Sequence, residues 1–116
     1  GGFHLMCDAT NDEAVQRLRE RKRRPTKPFA VMVKDLETAK ALAQMNDTEE
    51  TLLVSKERPI VLLKKSTHYT LHTTHLSGAV APRIDRIGIM LPYTPLHDLL
   101  FDAIDRPLVA TSANLS

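Results

Sequence analysis

The chain is poor in cysteine, glycine and aromatic side chains. Its one cysteine, Cys7, rules out a disulfide framework and sets a reducing cytosol as the expected compartment. The four glycines form neither a GxxxxGKS/T phosphate loop nor a GxGxxG fingerprint, so a nucleotide held here would use other cradles. Two tyrosines, three phenylalanines and no tryptophan supply no row of platforms on which nucleic-acid bases could stack. No apolar run approaches the ~18 residues of a membrane span. The opening stretch GGFHLMCDAT has neither the basic region nor the long apolar stretch of a secretory signal, so none is expected.

What remains is an ordinary globular balance. Of 116 residues, 42% are hydrophobic and 26% charged, enough apolar content for one core. The chain opens on Gly-Gly and closes on PLVATSANLS, an apolar strand running into a polar turn. We therefore expect residues 1–116 to form one partial domain, with further parts on both sides. Net charge is only +2, but it is unevenly spread. The stretch RLRERKRRPTKPFAVMV packs Arg17, Arg19, Arg21, Lys22, Arg23, Arg24 and Lys27 against a single acid, Glu20. A local positive field on a nearly neutral protein points to an anionic ligand at one place.

The apolar spacing predicts alternating helices and short strands. Thr10 and Glu13 stand at capping-box spacing and open a helix from about Asn11 to about Arg21, with Arg17, Arg21 and Arg24 on its outer side and Pro25 and Pro28 ending it. PFAVMV reads as a buried strand. Asp35 caps a helix over LETAKALAQM with Leu36, Ala39, Leu42 and Ala43 inward. DTEETLLVS reads as a short helix with acids in its first turn. RPIVLLKK reads as a second buried strand, RIGIML as a third, and PLVAT as the last. Thr94 and Pro95 open a helix over LHDLLFDAI. STHYTLHTTHLSGAVAP reads as strand or loop. The sum is an α/β or mixed α+β sheet in one domain.

Two stretches carry candidate chemistry. Lys22, Arg24 and Lys27 sit where a helix gives way to a proline-stiffened turn, which can hold cations in a fixed array around phosphate; the plainer alternative is a solvated basic face. TSANLS brings Thr111, Ser112 and Asn114 off a strand end, where ligands bind in open α/β sheets; the plainer alternative is an ordinary turn. His68, His72 and His75 have a spacing that a helix would gather for zinc, but the threonine-rich segment reads poorly as a helix, and no metal is expected. Cys7, near His4 and Asp8, reads as a buried thiol rather than a nucleophile. Gly1 and Gly2 permit a close backbone approach to a ligand, or simply a tight turn.

In order, GGFHLMCDATNDEAVQRLRERKRRPTKPFAVMV, SKERPIVLLKK, VAPRIDRIGIMLPYTPLHDLLF and PLVATSANLS resemble the YrdC-like domain of the hydrogenase-maturation carbamoyltransferases (the HypF family) over almost the whole chain. Lys-x-Arg-Pro-x-x-Lys-Pro and Ser-Ala-Asn-x-Ser are similar to motifs of the wider YrdC-like superfamily; GGFHL-CDA, KPFAVM and MLPYTPLH are similar to the hydrogenase branch. The resemblance implies a twisted mixed sheet with a basic cavity on one face. It implies ATP binding with Mg²⁺ and formation of carbamoyl adenylate, with pyrophosphate released. The carbamoyl group would come from carbamoyl phosphate hydrolysed elsewhere, pass to the partner protein HypE, and become the cyanide ligand of the nickel–iron site. It assigns Lys22 and Arg24, with Lys27 in support, to the ATP phosphates. Ser112 and Asn114, with Thr111 assisting, take the nucleotide phosphate and the adenylate. Two other activities stay open: threonylcarbamoyl-adenylate synthesis for tRNA modification, and a non-catalytic module binding nucleotide or double-stranded RNA.

Overall fold

A computed structural model describes residues 4–23, 28–66, 76–77, 80–81 and 85–112. The described residues form, in order, β1 (His4–Asp8), α1 (Asp12–Lys22), β2 (Ala30–Met32), α2 (Leu36–Leu42), β3 (Ala43–Gln44), α3 (Asp47–Leu53), β4 (Val61–Lys65), β5 (Arg86–Met90), α4 (Pro95–Ala103) and β6 (Leu108–Ser112). The strands form one six-stranded sheet in the order β1-β6-β2-β5-β4-β3. Among the described strands β2 and β5 run parallel, and the other neighbouring pairs are antiparallel. The expected mixed sheet is therefore the observed one.

Strand alternation divides the core in two. Val31, Leu63, Ile87, Ile89 and Val109 face α1, α2 and α3, meeting Val15, Leu18, Ala39, Leu42 and Leu53 in the main cluster. Met32, Met90 and Ala110 point the other way and take Met6 and Phe101 of α4 against them.

Helix starts follow side-chain capping. Asn11, not Thr10, caps α1: its side chain accepts from the Ala14 N–H at 2.9 Å. Thr10 is engaged instead with the Asp8 carboxylate, to which its N–H donates at 2.8 Å. Asp35 and Thr94 cap α2 and α4 as expected, with Pro95 in the first turn of α4. Asn46 and Glu49 form a full capping box on α3. α1 ends at Lys22, ahead of the prolines in sequence, and Arg23 caps it in the left-handed conformation (φ 54°, ψ 44°), donating its N–H to the Arg19 and Glu20 carbonyls.

Three other expectations need correction. α2 stops at Leu42, because Ala43 and Gln44 turn extended and pair with Lys65 and Lys64 of β4. β4 is buried on one face only, with Leu62 and Lys64 exposed. A strand not expected from the sequence, β1, pairs with β6 along its whole length.

Candidate functional site

The register brings the start of β2 and the end of β6 to one end of the sheet. β6 ends at Ser112, opposite His4 at the start of β1. β2 starts at Ala30, opposite Ala110 of β6 and beside Gly88 of β5. β5 enters at Arg86, opposite Lys64 near the end of β4. The connection from α1 to β2, which carries Arg24 and Lys27, therefore delivers the chain to the end of the sheet where β6 leaves toward Ala113 and Asn114. Arg24, Lys27 and Asn114 themselves lie outside the described residues, as do Gly1, Gly2, His68, His72 and His75.

The basic block is split by helical geometry. Arg17 and Arg21 are exposed, and Arg17 makes only a surface pair with Glu13 at 3.0 Å. Arg19 and Lys22 are buried, 4% and 2% exposed, on the same face as Val15 and Leu18. The Arg19 guanidinium lies 4.5 Å from the Phe29 ring centroid and donates to the Val80 carbonyl at 3.0 Å. Such a stack is strongest where water is excluded. It ties α1 to the residue just before β2, and so fixes both ends of the basic connection. Lys22 sits on the inward side of the last turn of α1, adjoining that connection and not on the solvated outer face. Thr111 is buried and pairs with Leu5; Ser112 is placed by its backbone.

Sequence reasoning missed Arg19, although the signal was present. Positions 15, 18, 19 and 22 form one helical stripe, so the apolar face of α1 runs into two cations.

Cys7 is partly buried against the main core. Burial, then the neighbouring Asp8 charge, pushes its thiol above the usual range, the opposite of nucleophile activation. Burial would raise the Asp8 carboxyl too, but hydrogen bonds from Thr10 and Arg106 outweigh it and hold the group below the usual range. The Arg106 bond is 2.8 Å long. A mostly apolar groove of about 720 Å³ adjoins this pair, lined by Met6, Leu100, Ile104 and Leu108 among others. It lies where Asp8 pairs with Leu108, the opposite end of the strands from Ser112, so it is separate from the phosphate-motif end. His97 is buried at the start of α4, where its Nδ1 accepts from the Tyr93 N–H at 3.3 Å. Among the described residues, no three His, Cys, Asp or Glu side chains gather as a metal site, and no helix is long and apolar enough to cross a membrane.

The chain belongs to the Sua5/YciO/YrdC family: its profile, described as Telomere recombination, matches residues 1–116. Within the family the chain is similar to the YrdC-like part of HypF. It is 50% identical over 121 residues to carbamoyltransferase HypF of Rhizobium leguminosarum bv. viciae, covering 98% of this chain and 15% of that protein. A crystal structure of full-length HypF in the phosphate- and nucleotide-bound form superposes with a TM-score of 0.90 at 49% identity, over 100% of this chain and 15% of that one. Threonylcarbamoyl-AMP synthase of Vibrio campbellii is 28% identical over 119 residues, covering 100% of this chain and 62% of that protein. The chain thus spans about 15% of the length of the HypF relatives.

Proposed function

We propose that this chain is the adenylating part of a HypF-type carbamoyltransferase. It binds ATP and joins carbamate to the adenylyl group. A carbamate oxygen attacks the α-phosphorus, the bond from that phosphorus to the bridging oxygen breaks, and pyrophosphate leaves with the electron pair. Such a displacement requires positioning and charge stabilisation rather than a protein nucleophile. That suits a chain whose cysteine is held as a thiol.

In this reading Lys22 and Arg24 neutralise the phosphates, with Lys27 in support. Ser112 and Asn114, assisted by Thr111, hold the α-phosphate and the carbamoyl adenylate. Mg²⁺ would be carried by the triphosphate and water, as is usual for this ion, and would neutralise phosphate charge. In the longer protein the carbamate would come from carbamoyl phosphate, and the carbamoyl group would pass on to HypE for the cyanide ligand of a nickel–iron hydrogenase, all in the cytoplasm.

The observation that carries this reading is the strand register. It brings the start of β2, which follows the basic connection in sequence, and the Ser112 end of β6 to one end of the sheet, in a chain about half identical to HypF. Exchange of labelled pyrophosphate into ATP tests it. Exchange that depends on added carbamate and not on threonine is expected. Exchange that needs threonine with bicarbonate would assign the chain to the sister activity, and no exchange under either condition would remove the adenylation step.

A further inference from the structure

β4 and β5 set two cations directly against each other at the same sheet end. Lys64 pairs with Arg86 in the antiparallel register, and both are exposed. The N–H of Lys65 donates to the Asp85 carbonyl at 2.7 Å, which makes Lys65 and Asp85 a hydrogen-bonded pair. Lys64 and Arg86 are then the neighbouring non-hydrogen-bonded pair, whose Cα atoms stand about 4.5 Å apart and whose side chains come closest.

Like charges directly opposite destabilise a sheet. On the inner side the diagonal positions, Leu62 and Gly88, supply no carboxylate to offset them. No ion pair among the described residues includes Lys64 or Arg86. Asp85, the acid next in sequence, stands across from Lys65 and alternates to the other face; the Lys65 ammonium donates to the Ala81 carbonyl at 2.8 Å.

The pair also lies level with the candidate site. Gly88, Ala30 and Ala110 form one row across β5, β2 and β6. Arg86 and Ser112 each stand two residues beyond that row, toward the same end. With β2 between them and strands about 4.8 Å apart, their backbones are about 10 Å apart. An extended arginine and a diphosphate span that gap.

We propose that Lys64 and Arg86 form a polyphosphate-binding pair that takes the β- and γ-phosphates of the nucleoside triphosphate, and then the leaving pyrophosphate. The arginine offers a planar fork and the lysine a point charge. This assignment rests on the nucleotide reading above for its place in the reaction. As an anion site it stands on the cross-strand register.

Calorimetric titration of the chain and its Lys64→Gln and Arg86→Gln variants with inorganic pyrophosphate, Mg·ATP and AMP tests it. Each substitution is expected to weaken pyrophosphate and ATP about tenfold while AMP changes by less than about twofold, the difference expected for one lost charge-assisted contact. Without ligand, both variants should melt no lower than the wild type, since a repulsion has been removed. Wild-type affinity for pyrophosphate in Arg86→Gln, no pyrophosphate binding by the wild type, or equal weakening of AMP would each overturn the pair. ATP binding that both variants retain would remove the pair and keep the nucleotide reading. Pyrophosphate binding lost in Arg86→Gln, in a chain that binds neither ATP nor AMP, would do the reverse.

Discussion

Replacing Arg19 by alanine should destabilise the fold far more than replacing any exposed member of the basic block. The Arg19 guanidinium is stacked 4.5 Å from the Phe29 ring centroid and donates at 3.0 Å to the Val80 carbonyl. A desolvated cation–π stack contributes about 2 kcal/mol, and a charged hydrogen bond about 1.5–3 kcal/mol. Local relaxation recovers part of their sum, so Arg19→Ala should cost about 3 kcal/mol, a large share of the ~5–15 kcal/mol that holds a domain together. At about 4 °C per kcal/mol for a chain of this size, the melting midpoint should fall by about 12 °C. Arg19→Lys keeps the charge but loses the planar stack and fork, and should lose at least half as much. The internal control is Arg17→Ala, whose partner Glu13 is exposed; that pair is worth under about 0.5 kcal/mol. Urea unfolding followed by circular dichroism measures all three. If Arg19→Ala falls within about 0.5 kcal/mol of Arg17→Ala, comparable to an ordinary surface substitution, the idea that Arg19 clamps the two ends of the basic connection is wrong.

Other outcomes follow from single contacts. Asn11→Ala should cost about 1 kcal/mol and Thr10→Ala should leave the start of α1 in place, since the cap is Asn11; helical signal and urea midpoints distinguish the two. The Asp8 carboxyl is held below its unfolded range, so its contribution is present above the unfolded pKa of about 4 and is lost as pH falls through the lower folded value. Between about pH 5 and 2 the wild type should therefore lose stability more steeply than Asp8→Asn, and parallel acid limbs would contradict that. Cys7 should react with iodoacetamide at pH 8 more slowly than a free thiol, because burial and Asp8 raise its pKa; a reaction faster than free cysteine would point to an activated thiolate.

The elements with strong local signals were legible in the sequence. α2 and α4 begin where Asp35 and Thr94 cap them and α3 begins at the expected Asp47, β2 and β5 fall within the apolar runs, and β6 overruns PLVAT by Ser112. What failed depended on distant partners. HLMCD has no β-branched residue, and it is a strand because β6 lies beside it. Ala43 and Gln44 continue the helical pattern of α2, yet β4 offers them a ladder and extended backbone wins. The candidate site divides the same way. Its residue types can be read from KRRPTKP and TSAN, and the 15-18-19-22 stripe of α1 carries the burial of Arg19 and Lys22 for a reader who follows its period into the charges. That β2 begins at the end of the sheet where β6 leaves, and that Lys64 lies across from Arg86, exist only in the register, which no local pattern encodes.

The most direct test of the account is calorimetric titration of Mg·ATP into the chain, beside Lys22→Ala, Arg24→Ala and Ser112→Ala variants that retain the wild-type circular dichroism spectrum. Saturable binding by the wild type that Arg24→Ala and Ser112→Ala each weaken by about tenfold or more, one charge-assisted contact apiece, is the predicted result. Binding of equal strength in wild type and variants, or none in a folded wild type, would contradict the claim that this end of the sheet holds the nucleotide.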